Sequence, residues 1–240
     1  IYSTFLQRAY DHIIHDAAIQ HLPVVFCMDR AGIAGEDGPT HHGALDIAYL
    51  KCVQDLIVTA PKDGNELRHL LYTALDYTDG PFSIRYPKAS SVNFDTKGQA
   101  ELLPIGSWEV CRKSDGNTVI LAVGPQVFDA INAADSLLQN GVECEVVNCR
   151  FIKPMDVNYL RSITDKFQNV ITIEEGVKTG GFGESVASWL ITHGYKGNVK
   201  IISLPDEFVE HGPRDMLLEK WGVNQNGIEK AAMNIDNPVK

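Results

Sequence analysis

Val24-Val25-Phe26-Cys27-Met28 is an unbroken apolar run that stops at Asp29-Arg30. It opens into Ala31-Gly32-Ile33-Ala34-Gly35-Glu36-Asp37-Gly38-Pro39-Thr40-His41-His42-Gly43. A short continuous apolar run bounded by charge reads as a strand buried on both faces, the habit of parallel sheets covered by helices. Upstream, Thr4-Phe5-Leu6-Gln7 has capping-box spacing, and Ala9, Ile13, Ala17 and Ile19 continue a helical stripe to Leu22-Pro23. Downstream, the pattern predicts helix over about 44–53, strand over 56–59, helix over 63–77 and strand over 82–86, with short connections. Such alternation predicts the α/β class.

Between Pro87 and Leu103 the periodicity lapses and Ser90, Ser91, Asn93, Lys97 and Gly98 collect, as in a linker. The boundary is placed near residue 104, giving units of 1–104 and 105–240. In the second unit, strands are expected at 108–112, 118–123, 144–149, 170–174 and 199–203. Helices are expected at about 126–140, 156–167 and 183–193, and shorter ones at 213–221 and 225–233 with Gly222 as the stop between them. Both units are read as mainly parallel sheets with helical cover.

The chain has 21 basic and 31 acidic side chains, a net charge of −10 that is spread over both units. That balance speaks against a uniformly basic nucleic-acid binder. Hydrophobic residues at 44% and charged ones at 22% are globular values and exclude global disorder. No apolar run approaches the roughly 18–20 residues of a membrane helix, so a soluble protein without a membrane span is expected. Five cysteines, with no C-x-x-C pair, read as reduced, buried thiols of a cytosolic compartment. The opening Ile1-Tyr2-Ser3 has neither an initiator Met nor a signal peptide, so the chain is expected not to start where its gene does.

Four segments hold residues suited to chemistry. The loop 29–43 leaves the carboxyl end of a strand, where ligands bind in open parallel sheets. There Arg30 offers a fork for phosphate or carboxylate and His41 a proton carrier near neutral pH, while Asp37 suits orienting His41 or binding a hydroxyl. A surface loop whose glycines merely turn is the alternative, and His42 is read as structural. In the first helix, Phe5 and Arg8 share a side and, with Tyr2, are of the types that sandwich a heteroaromatic ring, but from pattern alone core packing of Phe5 and a surface ion pair for Arg8 are the favoured readings. His12, His15 and His21 are read as solvated or partner-bonded rather than metal ligands. Arg85-Tyr86-Pro87-Lys88 is either an anion site or a run of solvated charges. Glu174-Glu175-Gly176 through Gly183 reads as strand, glycine loop and helix start; with two carboxylates on the approach it is taken as structural. A G-x-S-x-G elbow, a P-loop, H-E-x-x-H and zinc-type cysteine pairs are absent from the sequence.

Together, Tyr2-Ser3-Thr4-Phe5-Leu6-Gln7-Arg8-Ala9-Tyr10-Asp11, Asp29-Arg30-Ala31-Gly32, Glu36 through Gly43 and Ile84-Arg85-Tyr86-Pro87 closely resemble the 1-deoxy-D-xylulose-5-phosphate synthase family. Arg150 through Asp156, Glu174-Glu175-Gly176, Gly180 through Gly183 and Glu210-His211-Gly212 resemble its carboxyl-terminal domain, so the likeness covers nearly the whole chain.

The resemblance implies a transketolase-like fold, part of a pyrimidine-binding domain followed by a carboxyl-terminal domain. It implies a cytoplasmic homodimer that uses thiamine diphosphate and Mg2+. Its reaction decarboxylates pyruvate and joins the remaining two carbons to glyceraldehyde 3-phosphate, feeding isoprenoid, thiamine and pyridoxal synthesis. Carried over by motif, Phe5 stacks on the cofactor's aminopyrimidine with Arg8 nearby. Tyr2, Arg30, Asp37 and His41 line the substrate pocket, with His41 and Asp37 as the catalytic pair. Lys88, kept as a substrate-binding residue, stands where the family usually has a second Arg, preserving charge but losing the fork.

The family's diphosphate- and metal-binding domain and its activating glutamate precede the equivalent of Ile1, so these 240 residues alone are expected not to catalyse. Transketolase proper, a 2-oxoacid dehydrogenase β subunit, or a self-associating non-catalytic fragment are the alternatives. His211 is read as a hydrogen-bonded structural histidine.

Overall fold

The computed structural model describes residues 1–92 and 94–235; Asn93 of the expected linker and 236–240 of the second unit lie outside the described residues. The chain begins with α1 (Ser3–Leu6), a 3-10 turn (Gln7–Ala9), α2 (Tyr10–His12) and a π turn (Ile13–Ala18), where the sequence predicted one continuous helix. The capping box does not form. The helix starts at Ser3 with Tyr2 as its N-cap, so Thr4 lies inside it; Thr4 Oγ1 donates to the Thr40 carbonyl, and Ser3 Oγ donates to buried Asp46.

The first sheet contains β1 (Val25–Met28), β2 (Ile57–Thr59) and β3 (Phe82–Arg85) in the spatial order β1-β3-β2, all parallel. Between them lie α3 (Asp46–Lys51) and α4 (Gly64–Asp76). Asp63 caps α4 by accepting from Glu66 N at 2.8 Å, while Glu66 returns a bond from Lys62 N at 2.7 Å.

The second sheet has the order β4-β6-β5-β8-β9, from β4 (Glu109–Arg112), β5 (Thr118–Ala122), β6 (Cys144–Asn148), β8 (Asn169–Val177) and β9 (Asn198–Leu204). Only β4 runs antiparallel within it. Helices α5 (Gln126–Gln139), α6 (Val157–Lys166), α7 (Phe182–Thr192), α8 (Arg214–Trp221) and α9 (Gln225–Asn234) accompany it, and Gly222, at φ +66°, ends α8 in the left-handed conformation. The fold is thus α/β with two mainly parallel sheets.

Strand β7 (Phe151–Lys153) was not foreseen as a strand. It lies between β6 and α6 in sequence, yet pairs antiparallel with β2 and becomes the fourth strand of the first sheet. One buried cluster therefore runs from Met28 and Phe82 through Phe151 to Trp108, Val147 and Phe182. A second cluster holds Ile120, Ala130, Ile171 and Leu217, and Ile33, from the glycine-rich loop of the first unit, is fully buried within it.

All five cysteines are free, but only Cys144 and Cys149 are buried; Cys52, at the end of α3, is exposed. Burial pushes the Cys144 thiol up to about 11. Among the described residues, no helix is long and apolar enough to cross a membrane.

Candidate functional site

The segment leading into α1 is docked against the carboxyl end of β1: Asp29 N donates to the Ile1 carbonyl at 2.9 Å, and Ser3 N to the Asp29 carbonyl at 2.7 Å. Beneath it, Asp46 is fully buried. It accepts from Ser3 Oγ at 2.9 Å and from Arg85 Nε at 3.0 Å to each carboxylate oxygen. Arg85 also donates to the Glu175 carbonyl at 2.9 Å. Its charge is consumed by this buried pair, so Arg85 is not part of an open anion site. The ion pair fixes the floor on which Tyr2 and Phe5 stand.

Residues 29–43 leave β1 through Arg30, a non-glycine residue at φ +58°. Such a conformation costs about 1–3 kcal/mol and persists only where the surroundings hold it. Two reciprocal bonds, Gly32 N to Gly43 O at 3.0 Å and Gly43 N to Gly32 O at 2.7 Å, close the neck of the loop. At its tip, a 3-10 turn (Gly35–Asp37) leads to Thr40, whose hydroxyl is 2.9 Å from His41 Nδ1.

The loop and the first helix together assemble a single cluster. Tyr2 and Phe5 stack, 5.3 Å apart and 11° from parallel, and the His41 ring meets Phe5 edge-on at 5.4 Å and Tyr2 at 6.4 Å. The Arg8 guanidinium carbon is 5.7 Å from the Phe5 centroid, and that of Arg30 is 3.7 Å from the Tyr2 centroid. Arg30 pairs with Asp29, and its Nε lies 3.9 Å from Asp37 Oδ2. Lys88 Nζ donates to the same Asp37 oxygen at 2.9 Å, and that bond holds the Asp37 carboxyl below its usual range. All seven residues singled out from sequence thus lie in one connected network. It combines an aromatic platform, an imidazole and two cations sharing one carboxylate.

His42 points away from this network, accepting from Ala34 N at Nδ1 (2.9 Å) and bonding the Glu210 carbonyl through Nε2 at 3.0 Å. It is the hydrogen-bonded structural histidine here. His211 is exposed, and among the described residues its side chain makes no hydrogen bond. Glu174 fills the N-terminus of α7 by accepting from Phe182 N (2.8 Å) and Gly183 N (2.7 Å), which leaves no room there for a phosphate. Burial pushes its carboxyl up to about 7, against the lowering pull of those donors, Lys51 and Arg85. His12 and His15 pair with Asp16 and Asp11 on the exposed face. A groove of about 410 Å³ borders the helix carrying Phe5, lined by Thr4, Gln7, Pro39, Leu45, Leu204 and Phe208. Its lining holds none of the cluster's cations, so the groove and the Tyr2–Lys88 network are separate features of this face.

Sequence reasoning missed Ser3, Asp46 and Arg214. A lone buried carboxylate such as Asp46 leaves no local pattern; only its apolar neighbours Ile47 and Leu50 mark the buried face.

The family description "Transketolase, pyrimidine binding domain" matches residues 1–92, and "Transketolase, C-terminal domain" matches residues 106–228. This chain belongs to the transketolase family. Among curated relatives, the 1-deoxy-D-xylulose-5-phosphate synthase of Aquifex aeolicus (strain VF5) is 46% identical over 230 residues, 96% of this chain and 36% of the relative. The synthase of Gloeobacter violaceus (strain ATCC 29082 / PCC 7421) is 45% identical over 231 residues, again 96% of this chain and 36% of the relative. The transketolase-family chain described here thus spans about 36% of the length of these relatives. A solved structure named "Split gene transketolase, inactive beta4 tetramer" superposes with a TM-score of 0.84 at 24% identity, covering 98% of this chain and 73% of that one. At that identity the likeness concerns the fold, which both share.

Proposed function

We propose that the polypeptide containing these residues condenses pyruvate, with loss of carbon dioxide, and D-glyceraldehyde 3-phosphate into 1-deoxy-D-xylulose 5-phosphate. The observation that carries this reading is the single network in which the aromatic pair Tyr2–Phe5 and His41 adjoin Arg30, Asp37 and Lys88. Sequence identity of 46% to a synthase of that activity supports it.

The residues present fit thiamine diphosphate at its ring end: Phe5, half-buried and flanked by the Arg8 guanidinium, suits a flat heteroaromatic ring. When bound, the cofactor supplies the nucleophilic carbon and electron sink that let a 2-oxo acid lose carbon dioxide. Phe5 and Arg8 orient that ring. Arg30, whose Nε is buried without a hydrogen-bond partner, and Lys88 receive the acceptor's phosphate. Tyr2 walls the pocket. Asp37, held ionised, accepts from a substrate hydroxyl, and His41 gives and takes the proton at the acceptor carbonyl oxygen.

The diphosphate and Mg2+ ligands and the activating glutamate belong, in this reading, to the remainder of the polypeptide, and these 240 residues alone do not turn over substrate. The units are 1–104 and 105–240, in a cytoplasmic homodimer.

The test is turnover by full-length protein saturated with thiamine diphosphate and Mg2+. Deoxyxylulose phosphate and carbon dioxide are expected in equal amounts; carbon dioxide without the condensed product, or neither, overturns the reading.

A further inference from the structure

We propose that Glu175 is a positioning residue that sets the spacing of the two phosphate-directed cations, Arg30 and Lys88. This rests on the reading above that those cations receive the acceptor's phosphate.

Glu175 lies in β8, in the second half of the chain, and its side chain is 3% exposed. Its carboxylate carries the loop backbone: Oε1 accepts from Ile33 N at 2.6 Å. The fit is close, because a Cβ on Gly32 would stand 2.5 Å from Glu175 Cδ, and Gly32 itself sits at φ +74°. Glycine is required there for both reasons. The other oxygen, Oε2, accepts from Gln126 Nε2 at 3.0 Å and from the Arg214 guanidinium. The main-chain carbonyl of the same residue accepts from Arg85 at 2.9 Å.

One residue therefore touches both segments that bear the cations. Arg30 is two residues before Gly32, and Lys88 is three residues beyond Arg85. Further tethers reach the same loop from the segment that opens α8: Gly212 N donates to Gly35 O at 3.4 Å, and His42 bonds the Glu210 carbonyl. Arg214, the first residue of α8, ties that segment back to Glu175. A buried carboxylate is stable only when its lone pairs are met, and here they are met by the groups whose positions matter to the cluster. A phosphate clamp tolerates little error, since misplacement by about 1 Å can cost two orders of magnitude in rate.

The test compares wild-type full-length protein, Glu175→Gln and Arg214→Met with pyruvate and either glyceraldehyde 3-phosphate or unphosphorylated D-glyceraldehyde. Glutamine keeps the volume and one acceptor for Ile33 N–H but loses the charge that holds Arg214. Both variants should raise KM for glyceraldehyde 3-phosphate about tenfold. KM for pyruvate should stay within about twofold, and kcat/KM for unphosphorylated glyceraldehyde, which feels the loosened loop only through Asp37 and His41, should fall several-fold less than kcat/KM for glyceraldehyde 3-phosphate, a split that mere loss of folded protein does not produce. Equal loss with both acceptors, or no change in either variant, overturns the proposal.

Amide hydrogen exchange supplies a readout independent of turnover. Residues 32–43 should exchange faster in Glu175→Gln while β5 and β6 keep their protection, and an unchanged loop overturns the tether. If wild-type protein forms no condensed product, the functional reading fails, and the exchange experiment still decides whether Glu175 holds the loop.

Discussion

Lys88 Nζ stands 2.9 Å from Asp37 Oδ2, joining the chain beyond β3 to the tip of the glycine-rich loop. In the proposed reaction, a phosphate arriving at this position would meet a cation that already has an anion. Lysine is one point charge with no fixed fork, so it must be shared between Asp37 and the newcomer, whereas a guanidinium can serve two oxygens at once.

Lys88→Arg in full-length protein is therefore expected to lower KM for glyceraldehyde 3-phosphate by about threefold to tenfold, with KM for pyruvate unchanged. Steady-state kinetics with both substrates varied checks this. An unchanged acceptor KM would remove Lys88 from the phosphate site.

His41 faces Phe5 and Tyr2, and its Nδ1 is engaged by Thr40, which leaves Nε2 without a hydrogen bond among the described residues. His41→Asn should lower kcat by about 10²–10⁴-fold, the range for loss of a general acid–base group, while KM for pyruvate moves little. A fall in kcat of less than about fivefold would mean that another group, or solvent, moves the proton.

The buried Asp46–Arg85 pair supports the floor beneath the aromatic platform. Asp46→Ala strands a buried guanidinium and the Ser3 hydroxyl, and is expected to cost about 3–5 kcal/mol in folding free energy. Urea denaturation of the chain measures it. A loss under about 1 kcal/mol would show that Arg85 finds another acceptor.

Glu174 makes a pH-dependent contribution to stability. Its folded pKa is raised to about 7 from 4.5, so folding takes up a proton between those values. The contribution is fully present below about pH 4.5 and is lost as pH rises to about 7. Glu174→Gln removes this titration. The stability of wild type minus variant should thus fall by about 2–3 kcal/mol from pH 5 to pH 8. A flat difference would mean that the two N–H donors of α7 keep Glu174 ionised throughout.

The alternation of strands and helices was legible because fully buried parallel strands read as short apolar runs, as at Val25–Met28 and Thr118–Ala122. The loop carrying Arg30, Asp37 and His41 was legible because polar chemistry and turn residues coincide at a strand's carboxyl end. What failed had a non-local cause. Thr4 has capping spacing, but α1 starts one residue earlier with Tyr2 at its N-cap, and the Thr4 hydroxyl turns to the Thr40 carbonyl 36 residues away. Phe151-Ile152 is too short a run to announce a strand, and its partner, β2, lies more than 90 residues earlier. Arg85 looked like a free cation until Asp46, invisible as a partner from 39 residues away, claimed it.

The placement of β7 also bears on how the chain is made. Until Phe151–Lys153 has emerged from the ribosome, β2 is an outer strand with one row of backbone groups unmatched. At about 5–20 residues per second, synthesis takes roughly 3–14 seconds to travel from Arg85 to Lys153. During that interval the nascent first sheet can pair with a neighbouring nascent chain. The three-residue length of β2 keeps that adhesive edge small.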